Sequence, residues 1–467
     1  MTTAAIAGGR TDGITRVVRE IAKFGLTRAD TELVVLADRR SQLYEIDRSW
    51  SAAILDGTTI LDLPRLDVAL IGSPLRLSQR FKQGMPRWLR HPRRAAYVLL
   101  DAWSSAPGRF SRLAAGAQKL LMNERYRLEL TGRGGISRRL VSLSKVSTRS
   151  VSLSPQDVFL ICGSDWPAIY DFLRRRTQGV EGRIAVLCYD TIPLLYPQFF
   201  LPGTAAMFKR CFEEIIRVAD LLIFTAEAVR KDTLTHFADK LSATQRTCVV
   251  SLGTANARPD PAGQHASLRK GLEPFRYILF VSTFEPRKGH GMLLSVWKRL
   301  ITVPSVTHSG FKMVFVGRKG WLVDDLFERF ATEPCVGDSL LLVSDAADDE
   351  VNSLYENAAF CVYPSIYEGF GLPIVESFRH GKAVISSNGG ALPEVVSDLS
   401  PCIDPRDEDA WFEILRLWIE DPAERANCEA AIRARFRPRP WEETGREMFA
   451  ALENKLGGIG QHAQDGG

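Results

Sequence analysis

Short runs of β-branched and aliphatic residues alternate with amphipathic helical patterns along this sequence, and that alternation constrains its fold more than any other feature. Such alternation predicts βαβ units, in which helices cover both faces of a parallel sheet. The candidate strands of the first half are 32–36, 68–71, 158–162, 184–188, 221–224 and 247–250. Those of the second half are 277–282, 312–316, 340–343, 361–363 and 383–386. The sequence therefore predicts an α/β protein with two doubly wound sheets.

The domain organisation follows from length and from one break in the pattern. A chain of 467 residues suggests two domains, because single cores stop growing near about 250 to 300 residues. Residues 253–274 are rich in Gly, Pro and Ala and have no hydrophobic period, which is typical of a linker. We therefore expect domains at 1–252 and 275–436, followed by a C-terminal helix at 437–456. The last residues, 457–467, are predicted to be disordered.

The sequence lacks features that several classes of protein require. No apolar run approaches the roughly 18 to 20 residues of a membrane span. The N-terminal residues show no basic stretch followed by a long apolar segment, so a secretory signal is not expected. The eight cysteines show no CxxC spacing and the seven histidines no HExxH motif. We expect a cytoplasmic protein with reduced thiols and no bound metal or other cofactor.

Positive charge is concentrated in one part of the first half. Residues 76–149 contain 17 Lys and Arg against three acidic residues, with Trp88 and Trp103 among them. Anionic lipid attracts such a stretch, and tryptophan favours the membrane interface. A peripheral site at the inner face of the plasma membrane is one interpretation of this basic insert, and a solvated surface is the other. Nucleic acid is not expected as a partner, because no nucleic-acid motif accompanies the charge.

The first candidate site follows the predicted strand 277–282. A polar turn with Glu285, Arg287 and Lys288 comes directly after this strand and before a helical pattern. Ligands of open α/β sheets bind beyond the carboxyl ends of strands, and adjacent Arg and Lys suit a diphosphate. A solvated basic turn is the alternative.

The second candidate site is the glycine-rich segment that carries Glu368 and Glu376. Gly371 lies between them, and a proline follows in a position that suits a first helical turn, so we expect a helix to begin near Leu372. A helix N-terminus attracts anions, and carboxylates accept hydrogen bonds from sugar hydroxyls. The alternative is that Glu376 only forms a cap or a local ion pair.

Two acidic clusters resemble metal-binding sequences but favour a simpler interpretation. One contains Asp345, Asp348 and Glu350, and the other contains Asp404 and Asp407. Each cluster precedes a helical pattern, where acidic residues cap the helix or interact with its dipole. We interpret both as helix N-terminal acids.

Together these segments resemble the retaining glycosyltransferases of family 4, which have the GT-B fold of two facing Rossmann-like domains. The resemblance covers residues 275–455. It rests on EPRKGH at 285–290, VGRKGW at 316–321, SLY at 353–355, the run 364–396, DPRDEDA at 404–410 and PWEE at 440–443. It implies that the C-terminal helix returns to the N-terminal domain.

The resemblance also implies roles for individual residues. The family's Arg and Lys that match Arg287 and Lys288 bind the diphosphate of a nucleotide sugar. Its glutamate that matches Glu368 contacts the donor sugar, and the one that matches Glu376 binds the ribose hydroxyls. Backbone groups of one short segment are implied to contact the sugar or the phosphates: Gly369, Phe370, Gly371 and Leu372.

The first half resembles the family less closely. The segment GGRTDGITRVVREI is similar to the family's opening glycine loop, so Gly9 and Gly13 are expected near the donor phosphates, and the base is implied to lie near Gly317 and Asp345. Tyr189 stands where the family often has histidine before an aspartate. The matching aspartate here, Asp190, is a candidate for orienting substrate hydroxyls, and a cap of a helix or turn is the alternative.

The resemblance therefore implies a metal-independent, retaining transfer of a hexosyl group from a nucleoside-diphosphate sugar in cell-surface polysaccharide synthesis. The sugar is mannosyl or rhamnosyl by the same resemblance, and the acceptor a glycan or a polyprenyl-diphosphate-linked saccharide. Arg287, Lys288, Glu368 and Asp190 are the predicted catalytic residues. Two alternatives stay open: a nucleotide-sugar epimerase or hydrolase of similar fold, and a non-catalytic nucleotide-sugar-binding subunit of an assembly complex.

Overall fold

The structure is a computed structural model that describes most of the chain. The residues described are 13–36, 43–56, 59–62, 139–142, 146–147, 150–176, 182–241, 246–254, 268–344 and 346–457. The predicted strand 68–71, most of the basic insert, the middle of the linker, Gly9, Asp345 and the tail from residue 458 lie outside them. Within the described residues, no helix combines the length and apolar character needed to cross a membrane.

The C-terminal domain is built on a parallel sheet that has six strands within the described residues: β10 Tyr277–Val281, β11 Lys312–Val316, β12 Leu340–Val343, β13 Phe360–Tyr363, β14 Val384–Ser387 and β15 Cys402–Ile403. Their order in the sheet is β12-β11-β10-β13-β14-β15. Because helices cover both faces, the central strands are apolar throughout, and residues 277–280 have no exposed surface.

The strand order reverses between β10 and β13. The chain runs from β10 outward to β11 and β12, then returns to place β13 on the other side of β10. The loops after β10 and β13 diverge at such a point and leave a crevice at the carboxyl edge of the sheet. Both candidate sites of the sequence lie in these two loops.

The helices of the C-terminal domain alternate with its strands. They are α7 His290–Leu300, α8 Pro304–Ser309, α9 Asp324–Thr332, α10 Asp348–Asn357, α11 Leu372–Arg379, α12 Leu392–Val396, α13 Glu408–Glu420 and α14 Ala423–Arg435. Acidic residues fill the first turn of α10, and the Asp407 side chain caps α13 by accepting from the Ala410 N–H at 2.9 Å. The predicted helix start at Leu372 is confirmed, and so is the helix N-terminal position of Asp348, Glu350 and Asp407.

The N-terminal domain contains a second parallel sheet, with β6 Val158–Ile161, β7 Arg183–Cys188, β8 Leu221–Phe224 and β9 Arg246–Val249 in sequential order within the described residues. Its helices are α1 Gly13–Leu26, α2 Arg48–Leu55, α3 Trp166–Arg176, α4 Ile192–Leu195, α5 Thr204–Val218 and α6 Glu227–His236. The two doubly wound domains predicted from strand–helix alternation are therefore present.

One predicted strand belongs to a different sheet. The expected strand 32–36 forms β1 Val34–Leu36, which pairs antiparallel with β2 Leu43–Glu45, and β2 in turn pairs with β5 Ser150–Val151. The prediction of a parallel strand was wrong here, because the short connection from β1 to β2 permits a hairpin but not a parallel crossover. A further parallel pair joins β3 Thr59–Asp62 to β4 Arg139–Ser142.

The last helix, α15 Trp441–Leu456, leaves the C-terminal domain and packs against α1 of the N-terminal domain. The rings of Phe24 and Phe449 lie 5.6 Å apart, and Arg28 pairs with Glu453 at 2.7 Å. The chain crosses between domains twice at one place, where the Thr254 N–H donates to the Arg439 carbonyl at 2.8 Å. Thr254 follows strand β9 of the N-terminal sheet and Arg439 precedes α15, so the two crossings lie side by side.

Candidate functional site

Two loops at the crevice between β10 and β13 are tied together by their backbones. Residues Pro286–Lys288 form a single 3₁₀ turn, and the Ile366 N–H donates to the Arg287 carbonyl at 2.8 Å. Gly289 ends that turn with φ of +84°, and a Cβ there would lie 2.7 Å from the Pro364 carbonyl oxygen. Only glycine therefore permits both the turn and the close approach of the two loops.

The two loops bring together a cluster of charged side chains, which we call the Glu368 cluster: Glu285, Arg287, Lys288, Tyr363 and Glu368. Lys288 Nζ lies 2.5 Å from Glu368 Oε1, and Arg287 reaches Glu368 Oε2 at 2.9 Å and Glu285 Oε2 at 3.1 Å. Both cations thus share one carboxylate, and the structure brings Glu368 next to two adjacent residues that precede it by about 80 positions.

Burial sets the electrostatics of this cluster. Glu285, Lys288 and Glu368 are only 7 to 8% exposed. Burial opposes the charged form of Glu368, but Arg287 and Lys288 outweigh it and lower the pKa of that carboxyl to about 2. For Lys288, burial and the neighbouring guanidinium lower the pKa, and for Glu285 burial raises it. The cluster therefore holds two cations at the floor of the crevice with Glu368 ionised between them.

Helix α11 points its N-terminus at the same crevice. Gly371 precedes it in the left-handed region, with φ of +109°, and no side chain caps the helix. Its first turn contains Pro373, which has no N–H to be satisfied. The uncapped first turn and the helix dipole leave this end suited to an anion next to Arg287 and Lys288.

Glu376 lies one turn inside α11 and is part of a contact between the domains. Its Oε1 atom accepts from Arg16 NH1 of α1 at 2.7 Å, and its Oε2 atom lies 3.5 Å from the Tyr355 hydroxyl. Its side chain keeps 23% of its surface exposed, unlike that of Glu368. The sequence did not identify Arg16, because an arginine on an amphipathic helix carries no local signal of a partner 360 positions away.

Comparisons with known proteins agree with this geometry. The profile of the glycosyl transferases group 1 family matches residues 267–435, the part that carries the Glu368 cluster and α11. The O-antigen chain mannosyltransferase B of Escherichia coli is 28% identical over 276 residues, which are 58% of this chain and 70% of that protein. The MMP alpha-(1->4)-mannosyltransferase of Mycolicibacterium hassiacum is 27% identical over 263 residues, covering 54% of this chain and 58% of that protein.

A solved structure gives the fold. The UDP-forming α,α-trehalose-phosphate synthase of Burkholderia xenovorans is similar with a TM-score of 0.51 at 15% identity, over 65% of this chain and 75% of that chain. The chain is a GT-B glycosyltransferase, and its residues 267–435 carry the match to group 1. The predicted fold and the general family resemblance are thereby confirmed.

Asp190 of the glycosyltransferase faces the Glu368 cluster from the N-terminal domain. A Cβ on Gly369 would lie 2.9 Å from Asp190 Cβ, so this aspartate sits directly against the glycine-rich loop. Burial raises the pKa of Asp190, and Arg287 opposes that shift. Its Oδ1 atom also accepts from the Ile192 N–H at 3.0 Å, at the start of α4. Asp190 thus makes the contact of a turn cap and also lies at the crevice. Its role towards the substrate stays a prediction.

Tyr189 does not take the place of the family's histidine in the crevice. It is 8% exposed, and its hydroxyl donates to the Cys162 carbonyl at 2.7 Å within the N-terminal domain. Its own carbonyl is 2.0 Å from where a Cβ on Gly369 would lie. Tyr189 therefore shapes the wall behind Gly369 and leaves Asp190 as the titratable group at this position.

Among the residues that the structure describes, the remaining predicted donor-binding residues lie around this crevice. Gly13 is close to Leu372, since a Cβ on Gly13 would be 3.5 Å from Leu372 Cδ1, and Phe370 packs with the same group of side chains. Gly317 follows β11, where a Cβ would meet the Ser282 carbonyl oxygen at 1.8 Å, and its N–H donates to the Val343 carbonyl. Packing against β10 therefore explains this glycine, and any contact with a base would not use its N–H.

The glycine-rich loop of the glycosyltransferase is also held by the N-terminal domain. Thr225 Oγ1 donates to the Gly369 carbonyl at 2.9 Å, and the Tyr367 hydroxyl bonds to Asp232. Glu394 of α12 accepts from the backbone N–H groups of Glu227 and Ala228, and so caps α6 across the domain boundary. Sequence analysis missed these contacts, because each joins residues with no pattern in common.

A metal ion at this site would need several ligand side chains close together. Among the residues that the structure describes, no group of three or more His, Cys, Asp and Glu side chains is arranged to hold a metal ion. Arg287 and Lys288 of the Glu368 cluster are cations that can bind an anionic ligand here. The expectation of a metal-independent enzyme stays a prediction.

Proposed function

We propose that this glycosyltransferase moves a hexosyl group from a nucleoside-diphosphate sugar to a hydroxyl of a glycan or lipid-linked acceptor, with retention of anomeric configuration and without a metal ion. The observation that carries the proposal is the position of Lys288 and Arg287. They lie at the switch point of the sheet, beside an uncapped helix N-terminus and two acidic side chains. The cations and the helix dipole suit the diphosphate of a nucleotide sugar. The carboxylates suit the hydroxyls of its sugar and its ribose, from which they can accept hydrogen bonds.

Each group has a role in this proposal. The diphosphate gains negative charge as the bond to the anomeric carbon breaks, so preorganised cations stabilise the transition state more than the ground state. Lys288 and Arg287 provide that charge together with the N-terminus of α11. Glu368 orients the two cations and accepts hydrogen bonds from the sugar, and Glu376 accepts from the ribose.

The donor and the pathway are supported by the relatives. The two curated relatives described above are both named mannosyltransferases, and one of them acts on the O-antigen chain by its name. A mannosyl donor and a role in cell-surface polysaccharide synthesis are therefore the favoured form of the proposal, with rhamnosyl as the alternative donor. The basic insert 76–149 supports attachment to the inner face of the plasma membrane, since 17 cationic residues there attract anionic lipid.

The first experiment measures binding and product. GDP-mannose, UDP-glucose and dTDP-rhamnose are each added to the full chain during thermal unfolding, and one of them should raise Tm, because a ligand at 100 times its Kd stabilises by about 2.7 kcal/mol. The active donor is then incubated with a mannoside acceptor and EDTA, and the anomeric configuration of the product is read by NMR. A chain that no nucleotide sugar stabilises, or a product of inverted configuration, would contradict the proposal.

Membrane attachment has its own measurement. Liposomes of phosphatidylcholine with and without phosphatidylglycerol are sedimented with the protein at low and high salt. Binding should require the anionic lipid and weaken as salt rises, because surface charges are screened within about 10 Å at 0.1 M salt. Equal sedimentation with both liposomes would remove this part of the proposal.

A further inference from the structure

Two buried tyrosines approach the two glutamates of the site from inside the C-terminal domain. Tyr363 ends strand β13 and is 4% exposed, and Tyr355 lies on α10 and is 2% exposed. Both are too deep to contact an acceptor in the crevice. Their hydroxyls nevertheless reach the polar atoms of the site.

The Tyr363 hydroxyl lies between a cation and an anion of the Glu368 cluster. It is 3.3 Å from Lys288 Nζ and 3.3 Å from Glu368 Oε1. A phenol has one proton and two lone pairs, so it accepts from the ammonium and donates to the carboxylate. The Lys288 ammonium also lies 5.6 Å from the centre of the same ring. This one side chain thus fixes both partners of the shortest ion pair in the cluster.

The Tyr355 hydroxyl supports the second glutamate. It donates to Glu376 Oε2 at 3.5 Å, while Arg16 occupies Oε1. Its ring stacks on His380 at 5.2 Å, with 14° between the planes, which fixes the ring itself. Tyr355 therefore holds Glu376 from within its own domain, whatever Arg16 does on the other side.

Both phenols act only as neutral hydrogen-bond partners. Burial raises the pKa of Tyr363 and of Tyr355, and the neighbouring Glu368 or Glu376 raises it further. A phenolate, and hence proton transfer by either group, is excluded in the neutral range. Each tyrosine therefore acts by orienting its neighbours through hydrogen bonds.

We propose that Tyr363 and Tyr355 are positioning residues, one for each glutamate: Tyr363 aligns Lys288 with Glu368 for the diphosphate and sugar, and Tyr355 aligns Glu376 for the ribose. The inference rests on the proposed function, because the ligand groups are those of a nucleotide sugar. It extends the site from the crevice to a layer beneath it. The SLY segment at 353–355 contains Tyr355, but the family resemblance implies no role for either tyrosine.

The test compares Tyr363→Phe and Tyr355→Phe with Tyr277→Phe in the full chain. Tyr277 is a matched control, since it is fully buried in the same domain and donates one hydrogen bond, to the Leu354 carbonyl at 2.6 Å. Phenylalanine keeps each ring, so all three variants are expected to fold with similarly reduced Tm. Calorimetry with GDP and UDP measures binding without a need for the acceptor.

The expected results differ between the two tyrosines. Tyr355→Phe weakens binding of the nucleoside diphosphate by about 3- to 10-fold at neutral pH, the effect of one hydrogen bond, because Glu376 loses its fixed orientation. Tyr363→Phe changes neutral binding less. It instead moves the alkaline loss of binding to lower pH by about half a unit, because the ammonium of Lys288 loses an acceptor and gives up its proton more easily.

That pH readout depends on the groups that face Lys288. Those groups are Glu285 and Arg287 on its own turn, His290 on α7, Glu368 and Tyr363 from the neighbouring strand and loop, and Asp190 from the N-terminal domain. Of these, only Tyr363 is altered in the variant. The ligand's own titration is shared by wild type and Tyr277→Phe, so it cancels in the comparison.

Three outcomes decide between the proposals. Distinct binding and pH effects, absent in Tyr277→Phe, support the positioning roles. If wild type binds GDP or UDP and all three variants behave alike, the positioning roles are wrong while the proposed function stands. If wild type releases no heat with either nucleoside diphosphate or with its nucleotide sugars, the proposed function falls and this inference with it.

Discussion

Glu368 and Glu376 lie only eight positions apart, yet their surroundings differ. Glu368 is buried, and both of its cations, Arg287 and Lys288, belong to its own domain. Glu376 is half-buried, and its cation, Arg16, comes from the other domain. At the end of the site that is expected to hold sugar and diphosphate, the ion pairs are thus formed within the C-terminal domain, and the N-terminal domain adds Asp190. The ribose end depends on how the two domains meet.

This difference predicts how substitutions at the two ends of the site affect stability and binding. A buried carboxylate between two cations cannot lose one partner without leaving charge unpaired, which costs several kcal/mol. An ion pair that is one quarter to one third exposed is typically worth about 0 to 1 kcal/mol. Substitutions at the Glu368 cluster should therefore change chemistry and stability together, whereas those around Glu376 should change nucleotide affinity.

The largest effect is expected for Lys288→Ala. Removing one preorganised charge beside the leaving group typically lowers turnover by about 100- to 1000-fold. Transfer from the active nucleotide sugar is measured by product formation. Lys382→Ala is the matched control, because Lys382 is also 8% exposed but lies over the Phe275 ring, away from the crevice. Equal activity of the Lys288 variant and wild type would contradict the assignment of the diphosphate site.

Glu368→Gln comes next, with a loss of roughly 100-fold in turnover and of roughly 3 kcal/mol in the free energy of unfolding at pH 7. The stability loss should depend on pH in one direction. The pKa of Glu368 is lowered to about 2 in the folded protein from an ordinary value of 4.5, so its ionisation stabilises the fold above about pH 4.5.

That contribution is lost as pH falls from 4.5 towards 2, because the folded and unfolded carboxyls then both bind the proton. Urea unfolding at pH 7 and at pH 3.5 should show the gap between wild type and Glu368→Gln becoming smaller at the lower pH. Glu350→Gln, in a half-buried pair with Arg269, provides the control. A gap that stays constant or grows would show that Glu368 is not ionised in the folded site.

Glu376→Ala is expected to keep the fold and lose most transfer activity through weaker donor binding. Loss of the two hydrogen bonds to a ribose should raise the Kd of GDP or UDP by about 10- to 100-fold, since hydrogen bonds to charged groups contribute about 1.5 to 3 kcal/mol. Glu350→Ala is again matched, because the pairs Arg269–Glu350 and Arg16–Glu376 have the same 2.7 Å length and similar exposure. An unchanged Kd would separate Glu376 from the nucleotide.

The C-terminal half of the site could be predicted from the sequence because its signals are local. Arg287 and Lys288 follow a buried strand directly, and a glycine followed by proline marks the start of α11 at Leu372. Strand ends and helix starts are determined by neighbours within a few positions, so a single segment carries the information.

The parts that the sequence did not predict depend on distant contacts. Arg16 meets Glu376 only through the packing of α1 near α11, and Tyr355 meets it only through the packing of α10 in the same domain. Glu394 acts as a cap for α6, a helix of the other domain. No periodicity or spacing encodes such pairs. The antiparallel pairing of β1 was likewise decided by chain geometry and not by the composition of the strand.

The smallest effect is expected for Arg16→Met, and it tests whether the ribose end is shared between the domains. In the structure Arg16 occupies Glu376 Oε1, an atom that a ribose diol would also use, so the arginine competes with the proposed ligand. This ion pair is one quarter to one third exposed and is worth about 0 to 1 kcal/mol, so removing it should lower the Kd of GDP or UDP by about 2- to 5-fold. Arg269→Met controls for the loss of an equally exposed arginine. A Kd that rises instead would make Arg16 a direct ligand of the nucleotide, and the ribose end would then be built by both domains together.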